Sequence, residues 1–321
     1  MFTEIKEDSL HSFGEVRLIE IIRELLAEIN PPHPYGIGDD CAVIEASPYS
    51  SLLTSDSLSV GQHFDPSLAP EAAGRKLVNR NLSDIAAMGG FPEQGLLTLL
   101  CPQNLQIDWL KNFLQGVTEA SRKHGLKIVG GDVSGIAEGN FSSVLQLRGR
   151  LEYPPLLRTG ARIGDALYVT GELGGSILGK HFEFEPRLAE GQWLARAGMC
   201  TALMDLTDGL AKDLRALLPE GATAALDLEA LPISAAAHEC AAADARSALE
   251  HAFCDGEDYE LLFTIDADLA TEDFEKNWRT QFPATKLSKI GILQRMEHNI
   301  PYLDRANGEA IEWLTGFEHL N

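Results

Sequence analysis

The stretch PEAAGRKLVNRNLSDIAAMGG, residues 70–90, decides the reading of the fold. It is a long run rich in small residues, and it predicts a helix over Pro70–Met88 that Gly89-Gly90 stops. The apolar run Gly95–Cys101 follows at once and predicts a strand. Asp84 lies in the middle of that helix, beside Ile85, Ala86, Ala87 and Met88. A carboxylate on a helix that reads as buried needs a partner.

Working outward, Gly14–Ile29 predicts an amphipathic helix, with Val16, Ile19, Ile22, Leu26 and Ile29 at three- and four-residue spacing. Pro31, Pro32 and Pro34 end it. Strands are expected at Cys41–Glu45, Leu52–Ser57, Lys127–Val129 and Phe141–Leu151, and a helix at Ile107–His124. Pro154-Pro155 and Gly160 break the pattern near residues 153–162 and mark a boundary. Beyond it, strands are expected at Ala166–Thr170, Ala224–Leu228, Tyr259–Ile265 and Lys286–Ile292. Leu203–Leu218 reads as a strand-to-helix junction. Helices are expected at Gly175–His181, Leu188–Ala197, Ser234–Ala243 and Thr271–Phe282. At roughly 150 residues per domain, 321 residues make about two. The expectation is two α/β or α+β domains joined compactly, over 1–152 and 153–321.

A net charge of −22 disfavours nonspecific nucleic-acid binding and anionic membrane surfaces. No apolar run approaches the roughly 20 residues needed to span a bilayer. The acidic N-terminus, with Glu4, Glu7 and Asp8, is unlike a secretory signal. Five scattered cysteines without CxxC fit a reducing, cytoplasmic setting and exclude a zinc framework by spacing.

Aspartates at turns are the chemical signal: Asp39-Asp40 after Gly36–Gly38, Asp56 among Thr54, Ser55 and Ser57, Asp84, Asp132 after Gly130-Gly131, and Asp205 and Asp208 before Gly209. Oxygen donors without His or Cys favour a hard cation such as Mg²⁺. Each block has a plainer reading. Asp208 could cap a helix. Asp39 and Asp132 could be turn residues beside glycine, and Thr54, Ser55 and Ser57 ordinary strand residues. The five together are more specific than any one. No Walker lysine loop, HRD, DFG or GxSxG occurs. GELGG, residues 171–175, follows a strand as a phosphate loop would, without the GxGxxG spacing.

GIGDDCAVI (36–44), TSDSLSVGQHF (54–64), NLSDIAAMGG (81–90), GGD (130–132), RTGARIGDALYVTGELGGS (158–176), MDLTDGLAKDL (204–214) and DGEDYELLF (255–263) occur in this order. Together they resemble the thiamine-monophosphate kinase family, in the superfamily of aminoimidazole-ribonucleotide synthetase and selenophosphate synthetase. The resemblance runs from about Gly14 to Phe317. It implies the two-domain fold of aminoimidazole-ribonucleotide synthetase, with a mixed α/β N-terminal domain and an α+β C-terminal domain, a homodimer built through the N-terminal domains, and ATP-dependent phosphorylation of thiamine monophosphate to thiamine diphosphate with several Mg²⁺ ions.

Residue by residue, the resemblance makes Asp40, Asp56, Asp84, Asp132 and Asp205 magnesium ligands. Thr54 and Ser55 contribute oxygens, and Asp208 matches a further metal position. Gly131, Asp132, Arg158 and Thr207 match nucleotide contacts, and Asp84, Asp132 and Arg158 take part in the transfer. His63, Glu257 and Phe317 match contacts to thiamine phosphate. On the residues alone Phe317 reads better as packed on the core, and only the resemblance reverses that; Trp313 rivals it for the aromatic role. Asp255 stands where the family has glycine, Thr207 where serine is more frequent, and Ser55 where threonine is usual. The rivals are a superfamily enzyme that activates a carbonyl oxygen with ATP, a non-catalytic nucleotide-binding homologue and a metal-dependent phosphatase. A selenophosphate-type enzyme would carry a reactive N-terminal cysteine, and no cysteine precedes Cys41.

Overall fold

The computed structural model describes residues 1–12, 14–37, 41–269, 272–296, 300–313 and 315–316. The chain divides into two compact units: residues 1–85 with 91–152, and residues 86–90 with 153–321.

The first unit opens with α1 (Gly14–Leu25), which buries Leu18, Ile21 and Ile22. Then come β1 (Ser50–Ser59), α2 (Pro70–Ala87), β2 (Phe91–Cys101), α3 (Ile107–Lys123), β3 (Lys127–Gly135) and β4 (Ser142–Leu151). Pro70 opens α2, where a missing N–H costs nothing. Gly89, at φ 69, turns the chain out of it. Among the described residues the sheet order is β1-β4-β2-β3. β2 and β3 are parallel, and α3 supplies the crossover that parallel neighbours need. The other pairs are antiparallel.

Residues alternate between the faces of these strands. Leu58, Leu97, Leu99, Leu145 and Leu147 are buried, as are Leu77, Leu82, Phe113 and Val117 of the helices. Leu53 is 82% exposed and Leu96 40% exposed on the other face. Helices α2 and α3 cross with their backbones almost touching. A Cβ at Gly74 would meet the Phe113 carbonyl oxygen at 2.1 Å, and one at Gly116 the Glu71 oxygen at 2.0 Å.

The second unit contains β5 (Ala166–Thr170), α4 (Lys180–Glu183), α5 (Leu188–Ala197), β6 (Cys200–Asp205), α6 (Leu210–Leu217) and β7 (Ala222–Leu226). It continues with α7 (Ala235–Ala243), α8 (Ala248–Cys254), β8 (Leu261–Ile265), α9 (Glu272–Gln281), β9 (Leu287–Arg295) and β10 (Tyr302–Asp304). The described strands run β10-β7-β9-β5-β8-β6, all antiparallel except β10 with β7. Leu167, Val169 and Met204 join one core cluster with Leu210, Leu214 and Phe253 of α6 and α8. On the opposite face Tyr168 stacks on Phe263 at 5.6 Å and meets Phe274 of α9 at 5.5 Å. Trp193 of α5 joins Trp278 of α9 at 5.7 Å.

This unit also buries charge. Glu260 accepts from Arg187 at 2.7 and 2.8 Å and from Thr170 at 2.7 Å, with Lys180 at 2.9 Å. Burial alone would raise its pKa; Arg187 and Lys180 outweigh that and hold it below the usual carboxylate range.

Several elements differ from the sequence-based expectations. Residues 41–45 form no strand. The expected helix over Gly175–His181 is a 3₁₀ turn, Ser176–Leu178, separated from α4 by Gly179. β3 runs six residues past Val129, so Gly130-Gly131-Asp132 lies inside the strand. α8 and β10 are additional. No helix of the described residues is long and apolar enough to cross a membrane.

Candidate active site

In the first unit, β1 and α2 bring four polar groups to one seam. Thr54 and Asp56 are two residues apart on β1 and so share a strand face. Asp84 and Asn81 are three apart on α2 and share a helix face. Thr54 donates its hydroxyl hydrogen to Asp84. Asn81 Oδ1 accepts the Asp56 N–H at 3.1 Å, and Arg80 lies 3.5 Å from the Asp56 carboxylate. The partner that Asp84 needs is therefore a strand hydroxyl. Ser55 alternates away from Thr54 and is exposed.

Asp132 is exposed on β3 and accepts from the Ser134 hydroxyl at 2.7 Å. Gly131 before it is required: a Cβ there would sit 1.8 Å from the Leu97 carbonyl oxygen. Thr54, Ser55, Gly131 and Asp132 line a cavity of about 1010 Å³, together with Leu96 and Arg148. That is at the upper end for small-molecule sites, roughly 300–1,000 Å³. His63 accepts the Ser59 N–H on Nδ1 at 3.0 Å. Its own carbonyl accepts from Lys76 at 2.8 Å, and Lys76 is fully buried on α2. Asp39, Asp40 and Phe317 lie outside the described residues.

In the second unit, Asp205 ends β6 and is buried. Asp208 pairs with Lys212 at 2.9 Å. It is not the side-chain cap of α6. Asp213, which sequence reasoning missed, instead ties down the turn before α6: its carboxylate accepts the N–H groups of Thr207 at 2.8 Å and Asp208 at 2.9 Å. Burial raises Asp213 to about 6, opposed by the Asp208 and Thr207 N–H groups and by the charge of Arg158. A carboxylate four residues past Gly209 was the available signal.

The turn carrying Glu257 is stitched to the same place. Glu257 N–H donates to the Thr207 carbonyl at 2.7 Å, and Tyr259 N–H to the Leu206 carbonyl at 2.8 Å. Glu257 and Tyr259 both have left-handed backbones, φ 54 and 51. Such conformations cost non-glycine residues about 1 kcal/mol or more and gather at functional sites. The Glu257 carboxylate faces His181 Nδ1 at 3.3 Å and accepts from Tyr259 at 3.2 Å. Trp313 packs on Phe253 at 5.6 Å, against the core. The GELGG loop is not a phosphate cradle: Gly174 N–H donates to Asp258 at 3.0 Å and Gly175 N–H to Asp255 at 2.9 Å.

Among the described residues, Asp56, Asp84 and Asp132 do not form a tight three-carboxylate group. One group of three metal-capable side chains does gather, Cys240, His251 and Asp255.

Residues 38–149 match the family model described as AIR synthase related protein, N-terminal domain. A thiamine-monophosphate kinase of Rhodopirellula baltica is 38% identical over 81% of this chain and 84% of its own length. One of Haemophilus influenzae is 32% identical over 96% and 98%. Among solved structures, AaThiL complexed with AMPPCP and TMP superposes with a TM-score of 0.71 at 28% identity, covering 94% of this chain and 96% of its own. Identity at this level over most of the length of both chains leaves one assignment: the chain belongs to the thiamine-monophosphate kinase family.

Proposed function

We propose that this chain transfers the terminal phosphoryl group of ATP to thiamine monophosphate, giving thiamine diphosphate and ADP. Its relatives are thiamine-monophosphate kinases over most of their length, and one is held with AMPPCP and TMP. The observation that carries the reading is the β1–α2 seam, where Thr54 and Asp84 join as oxygen donors beside Asp56. An all-oxygen donor set fits Mg²⁺. Asp40, Asp56, Asp84, Asp132 and Asp205 would hold the ions, with oxygens from Thr54 and Ser55 and a further position at Asp208. Bound there, Mg²⁺ would screen the phosphates of two polyanions from one another.

The chain's own groups supply orientation and charge. Arg158 can fork onto phosphate oxygens. Gly131, Asp132 and Thr207 are assigned to the nucleotide, and His63, Glu257 and Phe317 to thiamine monophosphate. The attacking phosphate is already ionised near neutral pH, with a second pKa of about 6. No general base is needed, and transfer is direct and in line, carried by positioning and electrostatics. The first unit carries the metal-binding and dimerisation role, and the second adds nucleotide and substrate contacts. The exposed apolar residues on its sheet, Leu53 and Leu96, support a homodimer formed through the first unit.

The test is a product assay with ATP, Mg²⁺ and thiamine monophosphate, with thiamine in parallel. Equal amounts of ADP and thiamine diphosphate, from the monophosphate alone and abolished by chelation, are expected. Neither product from a protein that binds Mg-ATP would overturn the reading in favour of the carbonyl-activating rival.

A further inference from the structure

Helices α7 and α8 pack together and present two pairs of side chains one helical turn apart, in the segment that leads into the Glu257 turn. Cys240 and Asp244 form one pair, His251 and Asp255 the other. Residues four apart lie on one helix face. Cys240 Sγ, a ring nitrogen of His251 and a carboxylate oxygen of Asp255 all lie within 4.8 Å of one another.

His251 is buried, 1% exposed. Its Nδ1 lies 2.9 and 3.0 Å from the two Asp255 oxygens, and its Nε2 lies 3.2 Å from Asp244 Oδ1. Asp255 also accepts from the Gly175 N–H at 2.9 Å and from Arg246 at 3.1 Å.

We propose that Cys240, His251 and Asp255 form a binding site for a borderline-soft divalent cation, with Zn²⁺ the best fit. The donor set is sulfur, imidazole nitrogen and carboxylate oxygen. That combination selects zinc over the hard Mg²⁺ that suits all-oxygen sites. The second ring nitrogen already has its outer partner. With the cation on Nδ1, Nε2–H donates to Asp244, the carboxylate–histidine–metal arrangement that fixes the tautomer and raises ligand basicity.

The local field favours a cation. Burial, then Asp255, Asp244 and Glu239, raise the Cys240 thiol pKa, and Arg246 alone opposes them. Binding releases that thiol proton to solvent. Ligand atoms on bonds of about 2.0–2.1 Å sit about 3.3 Å apart around a tetrahedral centre. Nδ1 and the Asp255 oxygen therefore need to part by only a few tenths of an ångström. A carboxylate has about four acceptor positions, so Asp255 can keep Gly175 and Arg246 while it ligates. Water completes the fourth position.

The experiment uses the full chain, metal-stripped, kept reduced, and in excess Mg²⁺ so that all-oxygen sites are occupied. Co²⁺ is titrated as the spectroscopic probe, and Zn²⁺ is then added against a chromophoric chelator. The expected result is one equivalent per chain with a thiolate-to-cobalt charge-transfer band, displaced by Zn²⁺. Cys240→Ser and Cys240→Ala should lose both the band and that equivalent while keeping kinase turnover in Mg²⁺, which shows that they fold. Asp244→Asn should weaken Zn²⁺ binding about 10–100-fold. Absence of the band in the wild type, or its persistence in both Cys240 variants, would overturn the proposal.

Discussion

The two sheets of this chain are finished differently. In the second unit every residue of β5, β7 and β8 is buried, with α6 and α8 on one face and α5 and α9 on the other. In the first unit, burial alternates along β4, and β1 keeps Leu53 almost fully exposed. Strands buried on both faces read as continuous apolar runs, and those with one open face alternate. The difference separates two jobs. The covered sheet is a self-sufficient core. The open sheet stabilises its unit through one face and leaves the other open to the cavity.

Substitutions can break that contrast or sharpen it. Val169→Asp places a carboxylate in the centre of the covered sheet, and the second unit should unfold, a loss above about 5 kcal/mol, read from denaturant midpoints. Arg187→Met strips Glu260 of its two-bonded partner. It should cost about 3–5 kcal/mol by the same measurement, because a buried carboxylate is left undercompensated. Asp84→Asn, on the open-faced unit, should instead lower turnover by about a hundredfold or more while the melting temperature hardly moves. A variant with near-normal rate would remove Asp84 from the metal set.

Smaller effects remain. Asp258 is buried and its carboxyl is raised to about 7, despite Lys180 and the Gly174 N–H. The folded chain thus holds this proton more tightly than the unfolded one. Its contribution to stability is complete below about pH 4 and is lost as pH rises to about 7. Asp258→Asn should therefore gain on the wild type in melting temperature across that window and level off above it. A pH-independent difference would show that Asp258 does not titrate there. Least of all, Leu53→Asp should change protomer stability by under about 0.5 kcal/mol, yet weaken the homodimer proposed above, read by sedimentation. If it unfolded the chain as Val169→Asp does, the two sheets would not differ in kind.

Much of this was legible. The small-residue run 70–90 became α2 within a residue, and the apolar runs at 95–101 and 166–170 became strands, because burial writes itself into composition. Cys41–Glu45 has strand-like residues but, among the described residues, pairs with no neighbouring strand. β3 runs through Gly130–Gly135, where only its pairing with β2 identifies it. α8 was signalled by Ser247-Ala248-Leu249-Glu250, a capping-box spacing in which the serine oxygen accepts the Glu250 N–H at 3.1 Å. The site was half legible. Carboxylates and glycines are visible as letters, so Asp84 asked for a partner before Thr54 supplied it. The left-handed backbones at Glu257 and Tyr259, and the reach of Asp213 back to Thr207, arise from loops meeting in space and leave no periodic trace.

The glycine crossing of α2 and α3 has a consequence for mutational maps. A methyl group at position 116 would press on the Glu71 carbonyl, in the first turn of the helix that carries Asn81 and Asp84. Displacements of about 1 Å at a reacting centre can cost a hundredfold in rate. Gly74 and Gly116 carry no chemistry, yet a library screened for growth should rank them beside the carboxylates, whereas one screened for protein abundance should separate the two classes. A charge-reversal scan would miss them altogether, since what they contribute is the absence of an atom.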